Sequence, residues 1–306
     1  NDLALGEKRV MWTGKVDAVW PPDAPPDTYA GCEVGETVGI LAYTALDIVR
    51  TPAIAGDTVP DGNPNGYGAT YGARAKTYVA MLEQSMDEFF NPNFLDTTTL
   101  TIHHPNSAAY DAIASNNVNA WNREMMFLHA WQTLSQVHGV LGDDPTKQAE
   151  YATITRNTAN LFVQNPKPAT APDGTPVYDW GYGNSGDEMN HLTGEQLDIH
   201  AEYDIWGLTR AYQAGLTDAT VAQMSLFAAT VVHEITISPG VYATYVDRCC
   251  STATLSFLPA GFMMLVPFDA NIYRAAAKAD IASGQQKNSP SVTVGILWAK
   301  HALAKG

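Results

Sequence analysis

GETVGILAYTALDIVR, residues 35–50, carries apolar side chains at steps of three and four, the mark of a helix with one buried stripe. The stretch at 71–90, YGARAKTYVAMLEQSMDEFF, repeats the pattern with Glu83 and Asp87 on the wet face. Working outward, the same rhythm predicts helices over about 118–140 and from Asp144-Pro145 to about Gln164, the proline suiting a first turn. Further helices are expected over about 194–214, ended by Gly215, and from an Asp218 cap to about Ile235. An interrupted one follows over 258–283, and a last one over 291–305. Strand signals are few. Thr98 to His103 (TTLTIH) is the best of them and sits in a loop.

Turn-forming residues gather at 21–26, 60–66, 165–176 and 285–290, but none of these stretches is long enough to separate two domains. Short and long links alternate between the helices, as they do in a ring of helical hairpins rather than a simple bundle. The expectation is therefore a single all-α domain over residues 1–306, an (α/α) toroid or barrel, possibly incomplete in its ring.

Composition narrows the function. Seventeen Lys and Arg face 32 Asp and Glu, a formal charge of -15, so the basic footprint a nucleic-acid partner needs is missing. The longest apolar run, LSFLPAGFMMLVPF at 255–268, is too short for a membrane span and is broken by Pro259 and Gly261, which argues against a membrane partner. The chain opens at Asn1 without a charged-then-apolar leader, as a mature secreted protein does after signal removal, so an extracellular location is expected. The oligomeric state is not legible. Cys32, Cys249 and Cys250 lack zinc-type spacing; Cys32 pairing with one of the other two and a vicinal 249–250 bond both remain open. No cofactor is expected. The one group to weigh for a divalent cation is Asp187, Glu188, His191 and Glu195, and such clusters are common in an acidic chain.

Polar chemistry is densest in YDWGYGNSGDEMNHLTGEQLDIHAEYDIWGLTR, residues 178–210. On the helix starting near Gly194, Gln196, His200, Tyr203 or Asp204, Gly207 and Arg210 share one stripe, with Leu197, Ile205 and Leu208 opposite. Such a stripe either faces a cleft or buries a hydrogen-bonded network. A second region, SNNVNAWNREMMFLH at 115–129, aligns Asn116, Asn119, Asn122 or Arg123, Met126 and His129. Helix capping explains Asn116 and Asn117, but not Asn122-Arg123 inside the helix, where Asn is a mediocre former. A third, PGVYATYVDRCC at 239–250, brings Tyr242, Tyr245 and Arg248, for which packing and a surface ion pair serve equally well. There is no Gly-x-Ser-x-Gly elbow, phosphate-binding loop or His-Glu-x-x-His motif.

Through WNREMMFLHAWQTLSQVHG (121–139), YDWGY (178–182) and EQLDIHAEYDIWGLTRAYQAG (195–215), about the central third of the chain, the sequence resembles the helical-toroid polysaccharide lyases. The likeness is to the alginate and glucuronan lyase group, including polysaccharide lyase family 38. The Asn-Asn-His-Ser-Tyr-Trp signature of one alginate lyase branch is absent; Asn190-His191 alone echoes it. The resemblance implies β-elimination on a 1,4-linked uronan, glucuronan or alginate. That chemistry needs a neutralised uronate carboxylate, a base for the C5 proton and an acid for the departing O4. Asn122 and Arg123 are the expected neutralisers and His200 the base or a further neutraliser, with Tyr203 and Tyr245 competing to be the acid, which serves as base as well when the geometry is syn. Trp121, Trp180 and Tyr182 are expected sugar-stacking groups, and Asn190, His191 and Arg248 further substrate contacts. Two other readings stay open: a glycoside hydrolase built on paired carboxylates among Asp179, Glu188, Asp198 and Asp204, and a carbohydrate-binding protein without catalysis.

Overall fold

The computed structural model describes residues 8–21, 28–114, 120–183, 194–248, 251–284, 287 and 289–305, apart from the side chains of Cys32, Glu33, Asp198 and Ile199. These residues gather into two compact units, one formed within 1–117 and 126–158, the other within 118–125 and 159–306. All three cysteine pairings proposed from the sequence fall outside the described side chains.

The first unit is built on α1 (Cys32–Arg50) and α2 (Tyr71–Ser85), joined by most of α3 (Trp121–Leu141) and α4 (Pro145–Gln164). Val34, Val38, Ala42, Ala45 and Leu46 of α1 are all buried, as the three-and-four spacing requires. Gly39 leaves room for the His129 ring, which a Cβ there would strike. Below α2 the chain makes a wide π turn, Met86–Phe90, followed by a short helix, Asn91–Phe94. That geometry turns Phe89, Phe90 and Phe94 into one cluster with Trp12, Tyr110 and Phe127. A small hairpin, β1 (Leu95–Asp96) and β2 (Thr101–Ile102), pairs Leu95 with Ile102. Its turn is fixed by Asp96, whose Oδ1 accepts the N–H groups of Thr98 and Thr99.

The second unit holds two more sheets. β3 (Lys167–Thr170) and β4 (Pro176–Asp179) form a hairpin that closes at Thr170–Pro176, with Gly174 at φ 90° in the turn. β5 (Thr236–Ser238), β6 (Val241–Ala243) and β7 (Thr254–Leu255) make a three-stranded antiparallel sheet in that order. Its helices are α5 (Glu202–Gln213), α6 (Val221–Ala229), α7 (Asn271–Ser283) and α8 (Pro290–Lys305). With about 58% helix, 10% strand and, among the described residues, three antiparallel sheets, the content is mixed, and the expected all-α toroid is corrected.

The physical reasons are local. Residues 165–176 read as pure loop because Pro168 and Pro176 suppress strand propensity, yet both stand in a two-stranded hairpin where missing N–H groups are tolerated. α6 starts two residues later than an Asp218 cap would place it. Thr220 Oγ1 accepts the Gln223 N–H at 3.2 Å, and Gln223 Oε1 accepts the Thr220 N–H at 2.9 Å. The stretch after Leu258 forms a 3-10 segment, Ala260–Leu265, before α7 begins at Asn271. Among the described residues no helix is long and apolar enough to cross a membrane.

Candidate functional site

Four segments of the second unit are stitched together by main-chain bonds. The Trp121 N–H donates to Tyr182 O at 3.0 Å beside an antiparallel bridge of Ala120 with Gly183. The Glu195 N–H donates to Trp180 O at 2.9 Å. Gln196 bridges Tyr245, the Leu197 N–H reaches Thr244 O at 3.0 Å, and the Val246 N–H reaches Glu195 O at 2.9 Å. The Gly194 N–H donates to Asp247 Oδ2 at 2.7 Å. So the starts of α3 and α5, the end of β4 and the loop after β6 share one neighbourhood.

His200 lies at its centre, on a π turn (Leu197–Ala201) that leads directly into α5. Its Nδ1 is 2.9 Å from Glu195 Oε1, its side chain is 25% exposed, and its ring centroid is 4.9 Å from that of Tyr182. Glu195 is 2% exposed and accepts a second bond at Oε1, from the Gln196 N–H at 2.8 Å. Beneath it Asp204 is fully buried, with Oδ2 accepting Trp180 Nε1–H at 3.0 Å, and Glu124 of α3 is fully buried as well. Burial, and then the charge of Glu195, push the Asp204 carboxyl well above its ordinary range; burial and then Asp204 do the same to Glu124. Close packing draws the two helices together: a Cβ on Gly207 would stand 2.6 Å from Met125 Cβ.

Asn122 is 7% exposed, and its Oδ1 has no hydrogen-bond partner among the described residues. Arg123 is half-buried and engaged with neighbours. Tyr245 is half-buried and joined by its backbone to the His200 turn. Tyr203 instead stacks on Trp206 (6.1 Å, 26°), which also carries the Arg210 guanidinium at 4.1 Å. Arg248 has a positive φ of 54°, donates from Nη2 to Thr236 O at 3.0 Å and keeps Nε 3.8 Å from Glu234 Oε1.

Two expectations are corrected. Trp121 and Trp180 are 0% and 1% exposed and pack edge-on against Phe162, so neither offers a face to a sugar. Indole rings in a polar stretch looked like platforms, but each closes the core beneath the site. Tyr182 alone of the three keeps partial exposure. Asn190 and His191 lie outside the described residues, as do Glu188, Asp187 and the side chain of Asp198. His129, aligned with Asn122 in sequence, belongs to the first unit, where Nδ1 meets Glu36 Oε2 at 3.0 Å. Among the described residues no group of three His, Cys, Asp or Glu is arranged to hold a metal.

Sequence reasoning passed over Glu195 as a partner of His200 and over Glu124 altogether. Glu195 stands five residues before His200, and the contact depends on the extended Gln196 between them, which is paired with Tyr245. At the edge of the site, burial, then Asp247 and Glu234, raise the Asp179 carboxyl to about 6. Glu234 is raised by burial against the opposing pull of Arg248. No protein-family model, curated protein or solved structure matches this chain.

Proposed function

We propose that the chain is a polysaccharide lyase that cleaves a 1,4-linked uronan by β-elimination. The observation that carries this reading is His200: a partly exposed imidazole backed by a buried carboxylate, in the neighbourhood of Asn122 and bound through Gln196 to Tyr245. In the proposed reaction His200 removes the C5 proton, the C4–O4 bond breaks as the C4=C5 double bond forms, and the departing O4 takes a proton from Tyr245. Asn122 donates from its amide Nδ2–H group toward the uronate carboxylate together with the Arg123 guanidinium, which lowers the cost of building charge at C5. The backbone bridge to Gln196 favours Tyr245 over Tyr203, whose ring is occupied with Trp206. Arg248, held by Thr236 and Glu234, is placed in a supporting role. Tyr182 is the proposed sugar contact.

A second reading has its own support. The Asp179 carboxyl, near 6, suits a general acid in a glycoside hydrolase, and the surrounding acids suit a neutral glycan. Incubation with glucuronan, polymannuronate and a neutral glucan separates the two. Absorbance of an unsaturated uronate on a uronan supports the lyase. New reducing ends on the glucan without that absorbance support the hydrolase. Binding without either product leaves a carbohydrate-binding protein.

A further inference from the structure

Three carboxyl groups run inward from His200. Glu195, Asp204 and Glu124 are 2%, 0% and 0% exposed. Three neighbouring carboxyl groups buried this deeply do not all stay ionised, so protons must remain on some of them. Donors decide which. Glu195 Oε1 receives the Gln196 N–H and has the imidazole Nδ1 as a second nitrogen at 2.9 Å, whereas the only nitrogen within reach of the Asp204 carboxyl among the described residues is Trp180 Nε1. A carboxylate accepts best where the donors are, so the charge belongs on Glu195 and the proton on Asp204.

We infer that Glu195 is the positioning residue for His200, carrying the charge of the buried trio and fixing the imidazole as its Nδ1–H tautomer so that Nε2 is the proton acceptor. An ionised carboxylate has no proton to give, so the short contact requires the proton to sit on Nδ1. Among the described residues Nε2 has no partner, and the quarter-exposed side chain leaves it open to substrate. The groups facing this arrangement are Glu195 just before the turn and His200 on it, Asp204 and Trp180 below, and Glu124 from α3. The contact is made from an extended step: Gln196, at φ -72° and ψ 132°, closes the segment paired with Tyr245, so Glu195 meets His200 on the turn that follows while the Gln196 N–H orients the same oxygen.

The inference rests on the lyase reading for its catalytic consequence, but the tautomer is measurable without substrate. Long-range 15N–1H correlation of the His200 ring, at a pH where the ring is neutral, is expected to show Nδ1 protonated. Glu195→Leu fills the space but offers no acceptor, and the proton is expected to redistribute toward Nε2. If that variant does not fold, Glu195→Gln, whose neutral amide no longer enforces one tautomer, is expected to give a mixture. On a uronan, Glu195→Gln is expected to lower kcat roughly 10²- to 10⁴-fold with KM little changed. Asp204→Asn replaces a neutral acid by a neutral amide, so it is expected to raise the melting temperature more at pH 8 than at pH 4. A ring that is protonated on Nε2 in the parent protein overturns the inference, as does an unchanged tautomer or kcat in a folded variant. Failure of the parent protein to cleave any uronan sinks the lyase reading alone, and the ring spectra still decide the positioning claim.

Discussion

His138 in the first unit offers a stability test whose size follows from its contacts. The ring is buried, with Nε2 2.8 Å from Glu83 Oε1 and Nδ1 2.8 Å from Asp143 Oδ1. Carboxylates on both nitrogens require both to be protonated, so the ring is an imidazolium. Burial pulls its pKa down, but the hydrogen bonds to Asp143 and Glu83 outweigh that and leave it raised. The two bonds are unequal. Glu83 is 15% exposed and also holds Lys147 at 3.0 Å, while Asp143 is 49% exposed and solvent-screened. His138→Gln therefore forfeits about 1.5–3 kcal/mol at Glu83 and no more than about 1 kcal/mol at Asp143. A loss of about 1.5–4 kcal/mol corresponds to a melting temperature lower by roughly 3–16 °C at this size. A raised folded-state pKa means the stabilisation is complete below the unfolded value near 6.5 and fades as pH climbs through the folded one. Calorimetry of parent and variant at pH 6 and pH 9 should show the gap narrowing at the higher pH. A gap of the same size at both values, or one under about 1 kcal/mol at pH 6, refutes the imidazolium clamp.

Two further outcomes are expected. Gly261→Ala drives a Cβ into the carbonyl oxygen of Glu202 at the head of α5, a backbone atom that cannot yield cheaply, so a cost of about 3 kcal/mol or more is expected from thermal or denaturant unfolding; a change within 1 °C would show the contact is relaxed. Asp179 has a folded pKa of about 6, above the ordinary carboxylate value, so it lowers stability as pH rises from about 4 to 6 and remains a burden above that. Asp179→Asn should accordingly raise the melting temperature at pH 7.5 and change it little at pH 4, and an equal effect at both would contradict the assigned environment.

The sequence is most legible where one force acts along a single helix. The buried stripe of α1 and the proline-led start of α4 follow from apolar spacing and backbone geometry, and both are found near the expected bounds. Legibility fails where the deciding contact is distant. Pro168 and Pro176 read as loop, since nothing local announces that each has a partner across a hairpin. The Met86–Phe90 and Leu197–Ala201 turns are continuous with helices in sequence, and only packing widens them. Glu195 was legible only as one of four residues weighed for a cation and not as the partner of His200, because burial of a carboxylate is invisible until the segments around it are assembled. His200 and Asn122 were legible as polar residues on helical stripes, whereas Tyr245 lay in a loop that packing and an ion pair explained equally well. Their common neighbourhood comes from main-chain bonds of Tyr182, Gln196 and Thr244, which no periodicity encodes.

The central claim is that the His200 imidazole removes a ring proton from a uronate. It is tested most directly by following unsaturated-uronate absorbance from glucuronan and polymannuronate with the parent protein and with His200→Ala, the variant being checked for folding by circular dichroism. The account predicts a steady rise with the parent protein and none with a folded variant. A folded variant that still generates the chromophore at the parent rate would contradict it.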